Sequence, residues 1–336
     1  MRKILVVGCG AWGTSLAKVL SEKNEKVYIA CHSEQIIQDI NKKRVNSLYG
    51  LVEPKLTKNI EAISFDQIPT VIVEVSAIFV VVASSFYLST MKMLRPMIVE
   101  QHIIVSATKG MDESGLSMLD IDKQVFSKEQ LDAQLCVLSG PNLAKEIYQG
   151  LPAATVIASH NNETATVIQQ MISSDNFRAY ISNDVIGVLY GGILKNIIAL
   201  AAGIVDAMNL GTNAKSALMV RGIAEMRRFC VYVGGEEDTV FGLSGFGDLI
   251  TTCTGPKSRN YSVGYALGEG EKIKDIIAGM VDVAEGVKSC KVIHFLAIKE
   301  EISMPITSAI YKVIYENASI KDTISSLMNR DLKKED

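Results

Sequence analysis

The cysteines of this chain build no recognisable framework. Cys9, Cys31, Cys136, Cys230, Cys253 and Cys290 are scattered over 336 residues, and no two form a C-x-x-C pair. Neither a disulfide scaffold nor a zinc site is therefore expected, and a reducing cytosol fits. Long blocks of one charge are missing as well. Thirty-four Lys and Arg stand against 37 Asp and Glu, a formal net charge of −3, which argues against nucleic acid as the main partner. No internal repeat or low-complexity segment occurs, and the charged tail 331–336 reads as a solvated terminus. The strand-like run Lys3–Val7 that follows Met1-Arg2 is five residues long, too short for a signal-peptide core, so secretion is not expected. Residues 71–88 come nearest to a membrane span in length. Glu74, Ser76, Ser84 and Ser85 interrupt them and β-branched residues abound, so buried strand is expected there and no membrane span.

What is present begins at the N-terminus. The strand-like run Lys3–Val7 feeds into Gly8-Cys9-Gly10-Ala11-Trp12-Gly13, a G-x-G-x-x-G in the place where a Rossmann-type fold holds a dinucleotide. Gly8 suits the tight turn, Gly10 allows a pyrophosphate to approach the backbone, and Gly13 lets the next helix pack on the strand. Apolar residues at helical spacing follow from Thr14 to Leu20, and a second strand is expected over 26–30, so the amides opening that helix would face the phosphates.

Short apolar runs continue at 78–82, 102–106, 136–139, 153–159 and 177–181, alternating with helical stretches; that rhythm predicts a mainly parallel sheet covered by helices. Beyond about Asp184 the pattern changes to long helices over 185–208 and 213–233. The expected architecture is α/β: a doubly wound Rossmann-type domain over 1–184 and an all-helical C-terminal domain over 185–336, with the ligand cleft between them. The length suffices for two domains of about 150 residues.

Lys195 stands out on physical grounds, because it lies in a helix otherwise so apolar that it is buried nearly all round. Burial lowers the pKa of an ammonium towards the range useful for proton transfer; a snorkelling side chain or a structural ion pair is the plainer alternative. Asp248, after the glycine-rich Leu243-Ser244-Gly245-Phe246-Gly247, reads either as a helix N-cap or as the partner that holds Lys195. Ser258-Arg259-Asn260 reads either as a solvated basic turn or as a phosphate site built on a bidentate guanidinium. Lys109 ends a predicted strand and faces the crevice. At the tip of the second strand, Ala30-Cys31-His32-Ser33 carries no acidic residue before Glu34. A 2′-phosphate would not be repelled there, so NADP should be accepted at least as well as NAD, unless His32 merely stacks.

Taken in order, GCGAWGTSLA, SATKG, LSGPNLAKEI, GGILKNIIALAAG, SGFGDLITTCT with KSRN, VAEG and MPI resemble the bacterial NAD(P)-dependent glycerol-3-phosphate dehydrogenase family over nearly the whole chain. The resemblance implies hydride transfer between NAD(P)H and C2 of dihydroxyacetone phosphate or sn-glycerol 3-phosphate, in the cytoplasm, supplying phospholipid synthesis, and it implies a homodimer. It makes Lys195 the general acid/base with Asp248 beside it, and Lys109 a contact of both cofactor and substrate. Gly140, Asn142, Ser258, Arg259 and Asn260 become substrate contacts. Lys195 and Asp248 also touch the substrate, and Gly8, Gly10, Ala11, Trp12, Gly13, His32, Lys109, Ala144, Arg259, Val283 and Glu285 become cofactor contacts.

Two departures stand out: Asn142 replaces a hydroxyl residue, and Val82-Ala83-Ser84 stands where the family often has Val-Pro-Ser, which implies a less rigid loop. The family pattern also makes part of 66–76 helical, where residue propensity reads strand. The alternatives are a Rossmann dehydrogenase of the β-hydroxy acid or ketopantoate type, or a non-catalytic NAD(P) sensor.

Overall fold

Each of the seven apolar runs expected to be extended is a strand. The computed structural model describes every residue except Met1, Pro256, 281–283, 333, 335 and 336. Its strands are β1 (Lys3–Val7), β2 (Lys26–Cys31), β3 (Ile60–Ser64), β4 (Ala77–Val80), β5 (Ile103–Ser106), β6 (Leu135–Ser139), β7 (Ala153–Ala158) and β8 (Phe177–Ser182). They form one sheet in the order β3-β2-β1-β4-β5-β6-β7-β8, with every neighbouring pair parallel except β6 and β7. The chain reverses direction across the sheet between β1 and β4, and ligands bind outside the carboxyl ends of strands at such a switch point.

β3 is the strand that the apolar runs do not predict. It is a short edge strand in which Glu61 is exposed between buried Ile60 and Ala62, so its apolar signal is weak. The stretch 66–76 is a correction to the propensity reading. It forms helical turns at Phe65–Gln67, Ile68–Val71 and Ile72–Glu74, started by a capping box between Ser64 and Gln67 and by a proline in the first turn of the second piece. Residues 71–88 are accordingly divided among a helical turn, β4 and the start of the Ser84–Leu94 helix.

Two apolar clusters fill the faces of the sheet. One gathers Ile4, Val6, Leu16, Leu20, Val27 and Ile29 beneath the Ala11–Ser21 helix. The other runs from Leu5, Val7 and Val80 into the helical half. β8 ends at Ser182, and Asp184 then caps the 23-residue Val185–Ala207 helix by accepting from the Gly187 amide at 2.7 Å. That helix is long and apolar enough to cross a membrane by length and composition, but 94% of its most apolar window is buried inside the protein; it is the hub of the helical half. No strand follows Ser182 among the described residues. The Arg259–Gly268 helix crosses the hub at backbone contact: a Cβ on Gly203 would lie 2.1 Å from the Tyr261 carbonyl oxygen, and one on Gly264 only 1.9 Å from that of Leu200. Glycine at both positions thus lets this helix approach closely enough for Asn260 to donate to Asn196 on the hub at 2.9 Å.

Candidate active site

The carboxyl end of β1 turns sharply at Gly8, whose φ of +112° suits glycine. A Cβ on Gly13 would stand 2.0 Å from the Gly8 carbonyl oxygen, whereas one on Gly10 would meet nothing within 4 Å. Gly10 opens the Ala11–Ser21 helix, and neither a capping side chain nor an acidic residue in the first turn competes for its amides. The positive end of this helix therefore faces open space, as a pyrophosphate requires. Trp12 adds an indole N–H that is buried without a partner. These residues fit a dinucleotide.

Three further strand ends converge nearby. Thr108, just after β5, donates through its hydroxyl to the Val82 carbonyl at 2.9 Å, and this holds Lys109 pointing across the crevice. The Lys109 ammonium donates to the Gly140 carbonyl at 3.0 Å and to Asp248 Oδ2 at 2.7 Å. From the opposite side Lys195 Nζ donates to Asp248 Oδ1 at 2.9 Å and to the Thr252 hydroxyl at 2.6 Å. One buried carboxylate thus bridges two ammonium groups, one from each half of the chain. Asp248 opens the Asp248–Cys253 helix, which places Thr252 one turn further on the same face.

Burial is the strongest influence on Lys195 and pulls its pKa down to about 8, although Asp248 works in the opposite direction. Burial also pushes the Asp248 carboxyl up, but Lys109 and Lys195 together outweigh it and hold it below the ordinary aspartate value. The structural ion pair of Lys195 is thus present, and burial lowers its pKa at the same time. Ser139 contributes a buried hydroxyl without a partner, close to where a Cβ on Gly192 would project.

Asn142 uses both ends of its amide to pin the turn after β6 onto β7, donating to the Ala154 carbonyl and accepting from the Thr155 hydroxyl, each at 3.0 Å. The Ala144 carbonyl accepts from the Ser15 hydroxyl at 2.7 Å, tying this turn to the fingerprint helix. Ser258 is the N-cap of the Arg259–Gly268 helix and accepts from the Tyr261 amide. Asn260 joins three helices, donating to Asn196 Oδ1 and accepting from the Gly286 amide, both at 2.9 Å. Arg259 is exposed at the start of its helix, and its charge acts on Glu285. Glu285 reaches back to the loop after β4, where its two oxygens accept from the Ser84 amide at 3.1 Å and the Ser84 hydroxyl at 2.6 Å. Ala83 there has φ −63°, the value a proline would impose, so the backbone at this position is compatible with Val-Pro-Ser. His32 lies exposed at the β2 tip, stacked on Phe65 with ring centroids 3.7 Å apart. Val283 lies outside the described residues.

Spacing alone did not single out Thr252; the signal was its position four residues after Asp248, on one helical face. Nor did it show that Lys109 and Lys195 share a carboxylate.

A Rossmann sheet with an uncapped glycine-turn helix, set against a buried lysine of lowered proton affinity, defines a two-domain dinucleotide-dependent dehydrogenase. The chain belongs to the NAD-dependent glycerol-3-phosphate dehydrogenase family: the model of that family's N-terminal part matches residues 3–165, and that of its C-terminal part matches 184–325. A glycerol-3-phosphate dehydrogenase [NAD(P)+] of Syntrophobacter fumaroxidans is 40% identical over 333 residues, covering 98% of this chain and 96% of that one. One from Clostridium perfringens is 38% identical over the full length of both. The crystal structure of glycerol-3-phosphate dehydrogenase from Coxiella burnetii superposes with a TM-score of 0.90 at 32% identity, over 98% of this chain and 99% of that one.

Proposed function

We infer that this chain is an NAD(P)-dependent glycerol-3-phosphate dehydrogenase that interconverts dihydroxyacetone phosphate and sn-glycerol 3-phosphate. The observation that carries the reading is the Asp248 carboxylate shared by Lys109 and Lys195 at the mouth of the dinucleotide crevice. When bound, the nicotinamide supplies or accepts the hydride at C2. Gly8, Gly10, Ala11, Trp12, Gly13, His32, Ala144, Val283 and Glu285 would hold the dinucleotide, with Arg259 at the edge of that site.

Lys195 hands a proton to the C2 oxygen during reduction and takes it back from the hydroxyl during oxidation; a pKa near 8 leaves both forms accessible near neutral pH. Lys109 places a second positive charge where negative charge develops on that oxygen. Asp248 and Thr252 hold the Lys195 ammonium in one position, so the donor requires no reorganisation at the moment of transfer. Arg259, with Ser258 and Asn260, binds the phosphate, while Gly140 and Asn142 shape the opposite wall. The absence of a carboxylate at the β2 tip favours NADPH over NADH.

The working division is a dinucleotide-binding domain over 1–184 and a substrate-binding domain over 185–336, in a cytoplasmic homodimer that feeds phospholipid synthesis. The test is oxidation of NADPH and NADH with dihydroxyacetone phosphate, run beside hydroxypyruvate and ketopantoate. Turnover with dihydroxyacetone phosphate is expected. Turnover with a competitor alone would overturn the substrate assignment.

A further inference from the structure

Two of the six free, buried cysteines lie together in the dinucleotide turn. The last paired residues of β1 and β2 are Val7 and Ala30, and the Gly8 amide donates to the Ala30 carbonyl at 3.1 Å. Cys31 therefore stands level with Gly8, one residue from Cys9, and both side chains belong to the apolar cluster on one face of the sheet. The Cys31 thiol donates to the Ile29 carbonyl at 3.7 Å. The nearby Cys31 side chain and the backbone around His32 hold the Cys9 thiol below its ordinary pKa, while Cys9 and burial push that of Cys31 up. Cys9 also precedes a helix N-terminus that no acidic residue neutralises. It is 9% exposed, against 1% for Cys31. Cys9 thus has the features of an attacking thiolate and Cys31 those of a resolving thiol.

We propose that Cys9 and Cys31 are a redox-modification site, at which a peroxide converts the thiol pair to a disulfide that closes the dinucleotide cradle. The Cys9 thiolate attacks one peroxide oxygen, giving a sulfenic acid and hydroxide. The Cys31 sulfur then displaces the sulfenic oxygen, which leaves as water, and the hydroxide takes up the proton first lost by Cys9. Two thiols and one hydrogen peroxide become one disulfide and two waters. The Cys9 carbonyl is meanwhile held by the Thr14 hydroxyl at 3.2 Å and the Asn46 amide at 2.9 Å. Drawing the sulfur towards β2 against that anchor must twist Gly8 and Gly10, whose conformation the pyrophosphate requires, and must shift the His32 tip.

This inference rests on the dinucleotide reading of the same turn, which NADPH binding by the fully reduced protein tests separately. Reduced full-length protein would be treated with hydrogen peroxide, mapped by peptide mass spectrometry and titrated with NADPH. The expected result is a Cys9–Cys31 cross-linked peptide, an NADPH Kd weakened by about tenfold or more, and recovery on adding dithiothreitol. Cys31→Ser should lose the reversible response and retain Cys9 as an over-oxidised acid. Should that variant fold poorly, saturating NADPH should still slow cross-linking in the unmodified chain. Absence of the cross-linked peptide, an unchanged Kd in the cross-linked protein, or no protection by NADPH would each overturn the proposal.

Discussion

Replacing Asp248 by Asn keeps the shape of the side chain and removes the charge that two ammonium groups share. Those contacts are 2.9 Å to Lys195 and 2.7 Å to Lys109, and at a separation of about 4 Å such a pair attracts by about 4 kcal/mol at an effective dielectric near 20. Much of that offsets the desolvation of the ions, so the net loss on breaking the buried network should be about 3–5 kcal/mol of folding stability, read from urea denaturation. The second consequence is kinetic. On the proposed mechanism reduction requires the protonated form of Lys195, whose pKa burial lowers to about 8, so turnover should fall as pH rises through that value. Without Asp248, burial and Lys109, both of which lower the proton affinity of Lys195, lose their main opponent. The descending limb of kcat should move to lower pH and turnover at pH 7.5 should drop by roughly 10²-fold, while the NADPH Kd should stay within about twofold because the glycine turn is untouched. A limb that stays at the same pH would refute the reasoning, since Asp248 would then not govern the Lys195 proton.

Lys195→Ala should lower kcat by about 10²–10⁴-fold and leave NADPH binding nearly intact, a separation checked by steady-state kinetics beside fluorescence titration. Gly13→Ala would place a Cβ 2.0 Å from the Gly8 carbonyl oxygen; NADPH affinity should fall by at least about tenfold, and retained affinity would show that the turn can open without cost. Asp122 is fully buried against the Tyr87 hydroxyl, which donates to both carboxyl oxygens at 3.2 Å, and burial raises its pKa from 3.8 to about 8. The folded state therefore holds a proton that the unfolded state releases, so stability is full below about pH 4 and declines as pH rises towards 8. Asp122→Asn cannot ionise and should exceed the original protein at pH 8 by on the order of 5 kcal/mol, with little difference at pH 4; parallel urea curves at the two pH values decide it.

Much of this was legible because the residues concerned serve one purpose strongly. The tight turn at Gly8, the close approach at Gly13 and the Val185–Ala207 helix match their sequence patterns, since a glycine turn and a hub helix leave periodic marks whatever surrounds them. Edge strand β3 escaped because half of its face is solvated. Residues 66–76 misled because the β-branched Val71, Ile72, Val73 and Val75 outweighed the Ser64–Gln67 cap in any propensity reading. Within the site, Lys195 could be picked out singly, but the bridge through Asp248 joins positions 109, 195 and 248, and no local pattern encodes that pairing. Ser258 shows the converse, a predicted ligand whose hydroxyl also caps its own helix.

The most direct test of hydride delivery to C2 uses NADPH deuterated at C4 of the nicotinamide, incubated with the protein and dihydroxyacetone phosphate, with the product examined by NMR. Deuterium at C2 of sn-glycerol 3-phosphate is the expected result. Oxidation of the cofactor without that product, or a product carrying no label at C2, would contradict the account.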